Sequence, residues 1–158
     1  MQELWDLYDI KRNPLGLTHV RGTRMRRGTY HIAVGIWTVN DRNEILITLR
    51  SPEKHDWPDL WENTAGSLLA GETSRQGAVR ELFEETGYAG SEPVFLCKVA
   101  PNAACISNFA HCYLIRDCKK VSSQHLDATE DLEIVVMSAE ETKKLMAEGG
   151  LVQAVHVA

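Results

Sequence analysis

The sequence predicts an α/β domain, with strands and two helices layered around a mixed sheet. Three observations carry that expectation. The segment YHIAVGIWTV, residues 30 to 39, is nearly continuously apolar and rich in β-branched and aromatic residues, as suits a strand covered on both faces. Two capping-box pairs, Thr73 with Gln76 and Ser138 with Glu141, each open a helix. Shorter apolar stretches lie between and around these helices, so strands and helices interleave.

In chain order, LWDLYDI and LGLTHV flank KRNP, whose Asn13-Pro14 pair is a turn signal. Residues 4 to 20 are therefore expected to form a β-hairpin. The central strand at 30 to 39 ends in the turn NDRN, and EILITLR at 44 to 50 supplies its partner. SPEKHDWPDL, residues 51 to 60, holds two prolines and reads as loop. A helix over 74 to 86 starts from the Thr73 cap and stops at Gly87, which fits the left-handed position after a helix end. Strands follow near 94 to 99, 109 to 115 and 132 to 137, and a second helix runs from Ser138 toward Gly149-Gly150. Without an internal repeat or low-complexity linker, 1 to 158 is expected to be one domain, with 1 to 27 as an N-terminal extension and 28 to 150 as the core.

Charged residues at 25% and apolar residues at 44% match an ordinary soluble globular chain. No apolar run approaches the roughly 20 residues of a membrane span, and the N-terminal stretch MQELWDLYDIKRNP does not read as a secretory signal, so a cytoplasmic location without membrane contact is expected. Cys97, Cys105, Cys112 and Cys118 form no C-x-x-C pair and read as reduced thiols. The net charge of -5 argues against a long nucleic-acid partner. RGTRMRRG, residues 21 to 28, is locally basic. It is either a solvated loop or a place from which an arginine such as Arg24 reaches a phosphate.

The stretch RELFEETG, residues 80 to 87, poses an electrostatic problem. Glu81, Glu84 and Glu85 share a sector of about 100° on a helix, opposite Val79, Leu82, Phe83 and Thr86. Like charges at such spacing repel by roughly 0.2 to 0.5 kcal/mol per pair, and acids near a helix C-terminus oppose its macrodipole. A surface helix turning its charges outward accounts for the pattern in part. Yet Arg80 is the one basic partner interleaved with these acids, which leaves a divalent cation as the missing counter-charge. Carboxylate oxygens are hard ligands suited to Mg²⁺, which completes its shell with water and substrate phosphates.

Gly66, Glu72, Arg80-Glu81-Leu82, Glu84-Glu85 and Gly87, followed by Tyr88, resemble the signature box of the Nudix hydrolases over residues 66 to 88. Tyr88 stands where an aliphatic residue is usual and Gly77 where alanine is more common. Gly77, read onto the acidic face, should cost about 1 kcal/mol of helix stability. The resemblance implies an α/β/α sandwich with a mixed sheet, here with the N-terminal hairpin added. It also implies metal binding, by Mg²⁺ or Mn²⁺, through Glu81, Glu84, Glu85 and the backbone carbonyl of Gly66. Arg80 and Glu72 would brace the loop against the helix, with Gly87 closing it. The implied reaction is cleavage of a diphosphate linkage in a small nucleoside diphosphate derivative by a metal-activated water. Glu84 is the first choice as proton acceptor and Glu130 the second; Arg80 and Glu81 complete the catalytic group.

Two other readings remain open. The segment from Tyr30 to Gly66 also resembles isopentenyl diphosphate isomerases, but Ala65 and Ser67 stand where those enzymes carry a catalytic cysteine and a metal-binding histidine, and Asn108 and Ala110 where they carry metal-binding glutamates. His31 matches one of their metal histidines, or is simply structural. A non-catalytic nucleotide-binding module is the third reading, although the box acids are all retained. For the substrate, Arg50 is a phosphate contact at a strand end, and Trp61, with Trp57, Tyr30 and Phe109, either stacks on a base or belongs to the core. The hairpin either covers the sheet or, through exposed Leu4, Trp5 and Leu7, supports a homodimer.

Overall fold

The computed structural model describes residues 2–53, 58–100, 109–126 and 131–157. The expected hairpin is present as β1 (Leu4–Tyr8) paired antiparallel with β2 (Pro14–Val20). Its turn is built by Asp9, whose carboxylate accepts from the backbone N–H of Lys11 at 2.8 Å and of Asn13 at 2.9 Å. That local bonding compensates Arg12 for a left-handed φ of 69°. Leu7 is buried rather than exposed, and Trp5 stacks on His31 with ring centroids 4.2 Å apart, so of the three apolar residues only Leu4 stands at the surface.

The main sheet contains β3 (Ala33–Asn40), β4 (Ile45–Arg50), β5 (Trp61–Glu62), β6 (Thr64–Ser67), β7 (Tyr88–Ala89), β8 (Val94–Val99), β9 (Ala110–Lys120) and β10 (Leu132–Met137). Its order is β10-β4-β3-β9-β7, with β5 beside β4, β6 beside β3 and β8 beside β9. β3 and β9 run parallel and the other pairs antiparallel, so the sheet is mixed. β3 starts later than its apolar run because Tyr30 exchanges backbone bonds with Tyr8, at 2.8 and 3.0 Å, and ties the hairpin down. β9 extends past the expected 115 to Lys120. Asp117, at φ 53°, lies at the register shift that returns Cys118 to the core.

One edge of β3 is divided, and this places the site. Thr38 and Val39 pair with β4, whereas the segment from Ala33 to Ile36 pairs with β6. β4 diverges from β3 and takes β5 as its neighbour, with Thr48 opposite Glu62. The fork leaves room between the strands. Strands as short as β5, β6 and β7 carry no readable periodicity, so the sequence gives no sign of them.

The long helix α1 (Ser74–Thr86) has the expected limits, with the Thr73 capping box at one end and Gly87 at φ 72° at the other. It covers one face of the sheet. Val34, Ile36, Tyr113 and Ile115 alternate onto that face and meet Leu68, Ala78 and Leu82. Its inner side is rotated from the expected one: Gly77, Ala78, Leu82, Glu85 and Thr86 are buried, while Val79 and Phe83 are exposed at 48% and 37%. Gly77 explains the rotation. A Cβ there would overlap Leu68 Cδ2, so glycine permits a close helix–loop approach and does not lie on an exposed acidic face.

After β10, α2 (Ala139–Ala147) starts from the Ser138 capping box as expected, and α3 (Ala154–Val157) follows. Gly35 points away from α1, and a Cβ on it would touch Val155 at 3.4 Å, so α3 lies on the opposite sheet face. The result is an α/β/α sandwich. Cys97, Cys112 and Cys118 are free thiols, and Cys105 lies outside the described residues. No described helix is long and apolar enough to cross a membrane.

Candidate active site

Arg80 organises the acidic helix. Its Nε and Nη2 donate to the two oxygens of Glu72 at 2.7 and 2.9 Å, a bidentate grip on the loop before α1. Nη2 also donates to the Ser67 carbonyl at 3.0 Å, while Nη1 donates to Glu84 at 2.9 Å and lies 3.1 Å from Glu81. Burial disfavours the Arg80 charge, but Glu72, Glu81 and Glu84 outweigh it and keep the guanidinium protonated. Burial likewise favours a neutral Glu72, yet the bonds from Arg80 and from the Leu69 N–H hold its carboxyl below the usual range. The brace expected of Arg80 and Glu72 is thus present.

Gly66, on β6, faces the helix so closely that a Cβ there would overlap the Glu81 carboxylate. Glycine at this position makes the cradle for that carboxylate. Gly87 is equally constrained, because a side chain would strike the Ser122 carbonyl, while Val121 and Ser122 donate to its carbonyl at 2.8 and 3.0 Å. Glu81, Glu84 and Glu85 line one cavity of about 100 Å³ together with Arg80, Glu3, Arg21 and His125. Glu81 and Glu85 are nearly buried, whereas the Glu84 side chain is 45% exposed and points toward solvent. His125 is fixed by its backbone N–H to the Glu84 carbonyl at 2.7 Å and by its ring against Phe83.

The donor set suits a hard divalent cation, since it offers carboxylate oxygens around one cavity and a glycine cradle that brings the Gly66 backbone against Glu81. As the side chains stand, no group of three or more His, Cys, Asp or Glu among the described residues is arranged to hold a metal ion. Arg80 takes that counter-charge role.

A second cavity, of about 390 Å³, opens in the fork of the sheet and includes Gly66 in its wall. Ala33, Val34, Ala65, Ala110 and Val155 supply apolar surface, and Arg50, Glu62, Gln153 and His156 supply polar groups. His156 is 3% exposed, with Nδ1 2.6 Å from Asn63 Oδ1 and Nε2 3.5 Å from Glu62 Oε2. Arg50 Nη1 reaches the other Glu62 oxygen at 3.4 Å. Burial and the Arg50 charge push the imidazole down to about 4, so it is neutral near pH 7 and the short contact makes Nδ1 the protonated nitrogen.

Of the expected site residues, the structure brings Arg80, Glu81, Glu84 and Glu85 around one cavity, with Glu72 bound to Arg80. It sets Arg50 beside Gly66 in the other cavity. Trp61 is half-buried on β5 and Arg24 is exposed, and neither lines these two cavities. Glu130, Trp57 and Asn108 lie outside the described residues. Phe109 carries the Arg12 guanidinium over its ring at 4.2 Å and Lys98 Nζ at 4.7 Å. Glu3, His125, Glu62 and His156 were not anticipated, and Arg21 only as one arginine of the basic stretch, because no local spacing connects them to the box.

An α/β/α sandwich carrying a glutamate helix braced to a glycine strand defines a class of proteins, and the NUDIX domain model matches residues 29–154. The chain belongs to the Nudix family. It is 41% identical over 86 residues to an uncharacterized Nudix hydrolase of Listeria monocytogenes, covering 54% of this chain and 51% of that one. It is 34% identical over 73 residues to an isopentenyl-diphosphate Delta-isomerase of Corynebacterium diphtheriae, covering 46% of this chain and 40% of that one. The match thus spans about half the Listeria protein and less of the isomerase. A crystal structure of an ADP compounds hydrolase superposes with a TM-score of 0.70 at 20% identity, covering 99% of this chain and 88% of that one, which is a likeness of fold.

Proposed function

We propose that this protein hydrolyses the diphosphate linkage of a small nucleoside diphosphate derivative, using Mg²⁺ or Mn²⁺ held by Glu81, Glu84, Glu85 and the Gly66 carbonyl. The observation that carries this reading is that the three box carboxylates, far from being scattered outward, line one cavity, and that Gly66 belongs to the wall of the next. A divalent cation, when bound, would neutralise the diphosphate oxygens and make a coordinated water more acidic. Arg80 spans Glu81 and Glu84 and keeps the helix fixed to its loop. Glu84, the most exposed of the three, is the proton acceptor we favour. The larger cavity has the volume and mixed lining suited to the organic part of the substrate, with Arg50 and Glu62 as its polar contacts.

Ala65 and Ser67 flank Gly66 and offer no thiol or imidazole for double-bond migration. We further propose a cytoplasmic setting, which suits the free thiols, and a homodimer formed through Leu4, Leu15 and Leu17, exposed on the hairpin at 41%, 40% and 48%. The deciding experiment incubates purified protein with Mg²⁺ and a panel of diphosphate-containing metabolites. Release of a nucleoside monophosphate, abolished by chelator and lowered about a hundredfold or more in kcat by Glu84→Gln in a folded variant, is expected. Double-bond migration, or tight binding without turnover, would overturn the reading.

A further inference from the structure

Glu3 and Arg21 lie outside the segment that matches the family model, yet they line the cavity that holds the box glutamates. Their position follows from regular structure. Leu4 pairs with Val20, and Glu3 and Arg21 form the next rung, closed by Arg21 N–H to the Glu3 carbonyl at 3.0 Å and by their side chains at 2.7 Å. The hairpin is in turn fastened to the loop that leads into α1. Ala70 N–H donates to the Leu4 carbonyl and Gly71 N–H to the Asp6 carboxylate, both at 2.7 Å. The rung therefore sits beside the acidic helix as an anchored part of the site.

The charges suggest what it does. Arg80 holds Glu72, Glu81 and Glu84, and Arg21 sits at the same cavity with its side chain 43% exposed, against a Glu3 carboxylate that is itself 31% exposed. The contact from Arg21 Nη1 to Glu3 Oε2 is a charge-assisted hydrogen bond of the kind that a phosphate oxygen also accepts. We propose that Arg21 is a substrate-contacting residue that exchanges the Glu3 carboxylate for a phosphate oxygen of the bound diphosphate. Glu3 is then the intramolecular stand-in that holds the guanidinium at the cavity when no substrate is present. The inference rests on the diphosphate reading above, and it gives the N-terminal hairpin a part in recognition.

Exchange and simple bracing make opposite demands on the pair. If the rung only braces the hairpin, Arg21→Ala and Glu3→Gln harm the protein alike. If Glu3 competes with phosphate, Arg21→Ala weakens binding and Glu3→Gln strengthens it. The test is calorimetric titration of methylenediphosphonate, which cannot be hydrolysed, into wild type, Arg21→Ala, Arg21→Lys, Glu3→Gln and the exposed control Arg27→Ala, all with saturating Mg²⁺. Arg21→Ala is expected to weaken affinity roughly tenfold or more, Arg21→Lys less, and Glu3→Gln to tighten it, with Mg²⁺ uptake and thermal stability close to wild type. Affinity within twofold of wild type for Arg21→Ala, or equal weakening by Arg21→Ala and Glu3→Gln, overturns the exchange while leaving the hydrolase reading intact. Wild type that takes up no methylenediphosphonate in saturating Mg²⁺ also overturns the exchange, while the hydrolase reading stands or falls on the metabolite panel above.

Discussion

At the residue scale, Gly66 joins both cavities and admits no side chain. Its backbone is not in the left-handed region, so alanine is conformationally acceptable there, and the nearest conflict is with the Glu81 carboxylate. Gly66→Ala is therefore expected to keep the fold while pushing Glu81 out of its cradle. Mn²⁺ affinity by calorimetry should fall by roughly 10- to 100-fold, the range seen when the surroundings of a metal ligand are disturbed. Unchanged affinity would show that Glu81 is not a ligand. Gly66, Glu72, Arg80 and the three box acids were picked out by their resemblance to the Nudix box, whose spacing is local, and the structure brings them together. Arg21 was visible only as one of four arginines in a basic stretch, and Arg24 was the residue singled out. What separates the two is the strand register that carries Arg21 back to the acidic helix, a fact of pairing that no single segment encodes.

At the element scale, α1 shows how tertiary packing overrides helical patterning. Counting apolar positions puts Val79 and Phe83 inside, but the helix is rotated so that Gly77 and Ala78 meet Leu68 and the sheet. Propensity alone says that Gly77→Ala should stabilise a helix interior by about 1 kcal/mol. The structure predicts the reverse sign. The added Cβ would overlap the Leu68 side chain, which is 5% exposed within the core, and overpacking of this kind costs about 1 to 3 kcal/mol. Urea unfolding is expected to show Gly77→Ala less stable than wild type, and a more stable variant would mean that α1 does not approach the loop as closely as described. Both ends of the helix were readable from the capping box and Gly87, since those signals depend on a few adjacent residues. Its rotation depends on a residue in the preceding loop.

At the scale of the whole molecule, acid sensitivity follows from histidines held neutral. Burial lowers His156 to about 4; it also lowers His31, helped by His19, and His111, helped by Lys98 and Arg12. Each of these imidazoles has a folded value below its unfolded one, so between the two the unfolded chain binds more protons. Stability then rises with pH in that window, is fully present above the unfolded value near 6.5, and is lost as pH falls toward about 4 for His156. The shift for His156 corresponds to about 3 kcal/mol at most. Burial and Arg50 outweigh the Glu62 carboxylate 3.5 Å from Nε2, so protonating His156 strains its buried seat on α3, a four-residue helix too short to carry a periodic signal in the sequence. His156→Gln removes the titration while retaining a side chain able to bond Asn63. Denaturant unfolding of the two proteins from pH 7 to pH 4.5 should show wild type losing stability more steeply than the variant, which starts lower at pH 7 and converges with it as the pH falls. Parallel curves across that range would mean that His156 is accessible to protons in the folded protein, and that α3 does not seal the fork of the sheet.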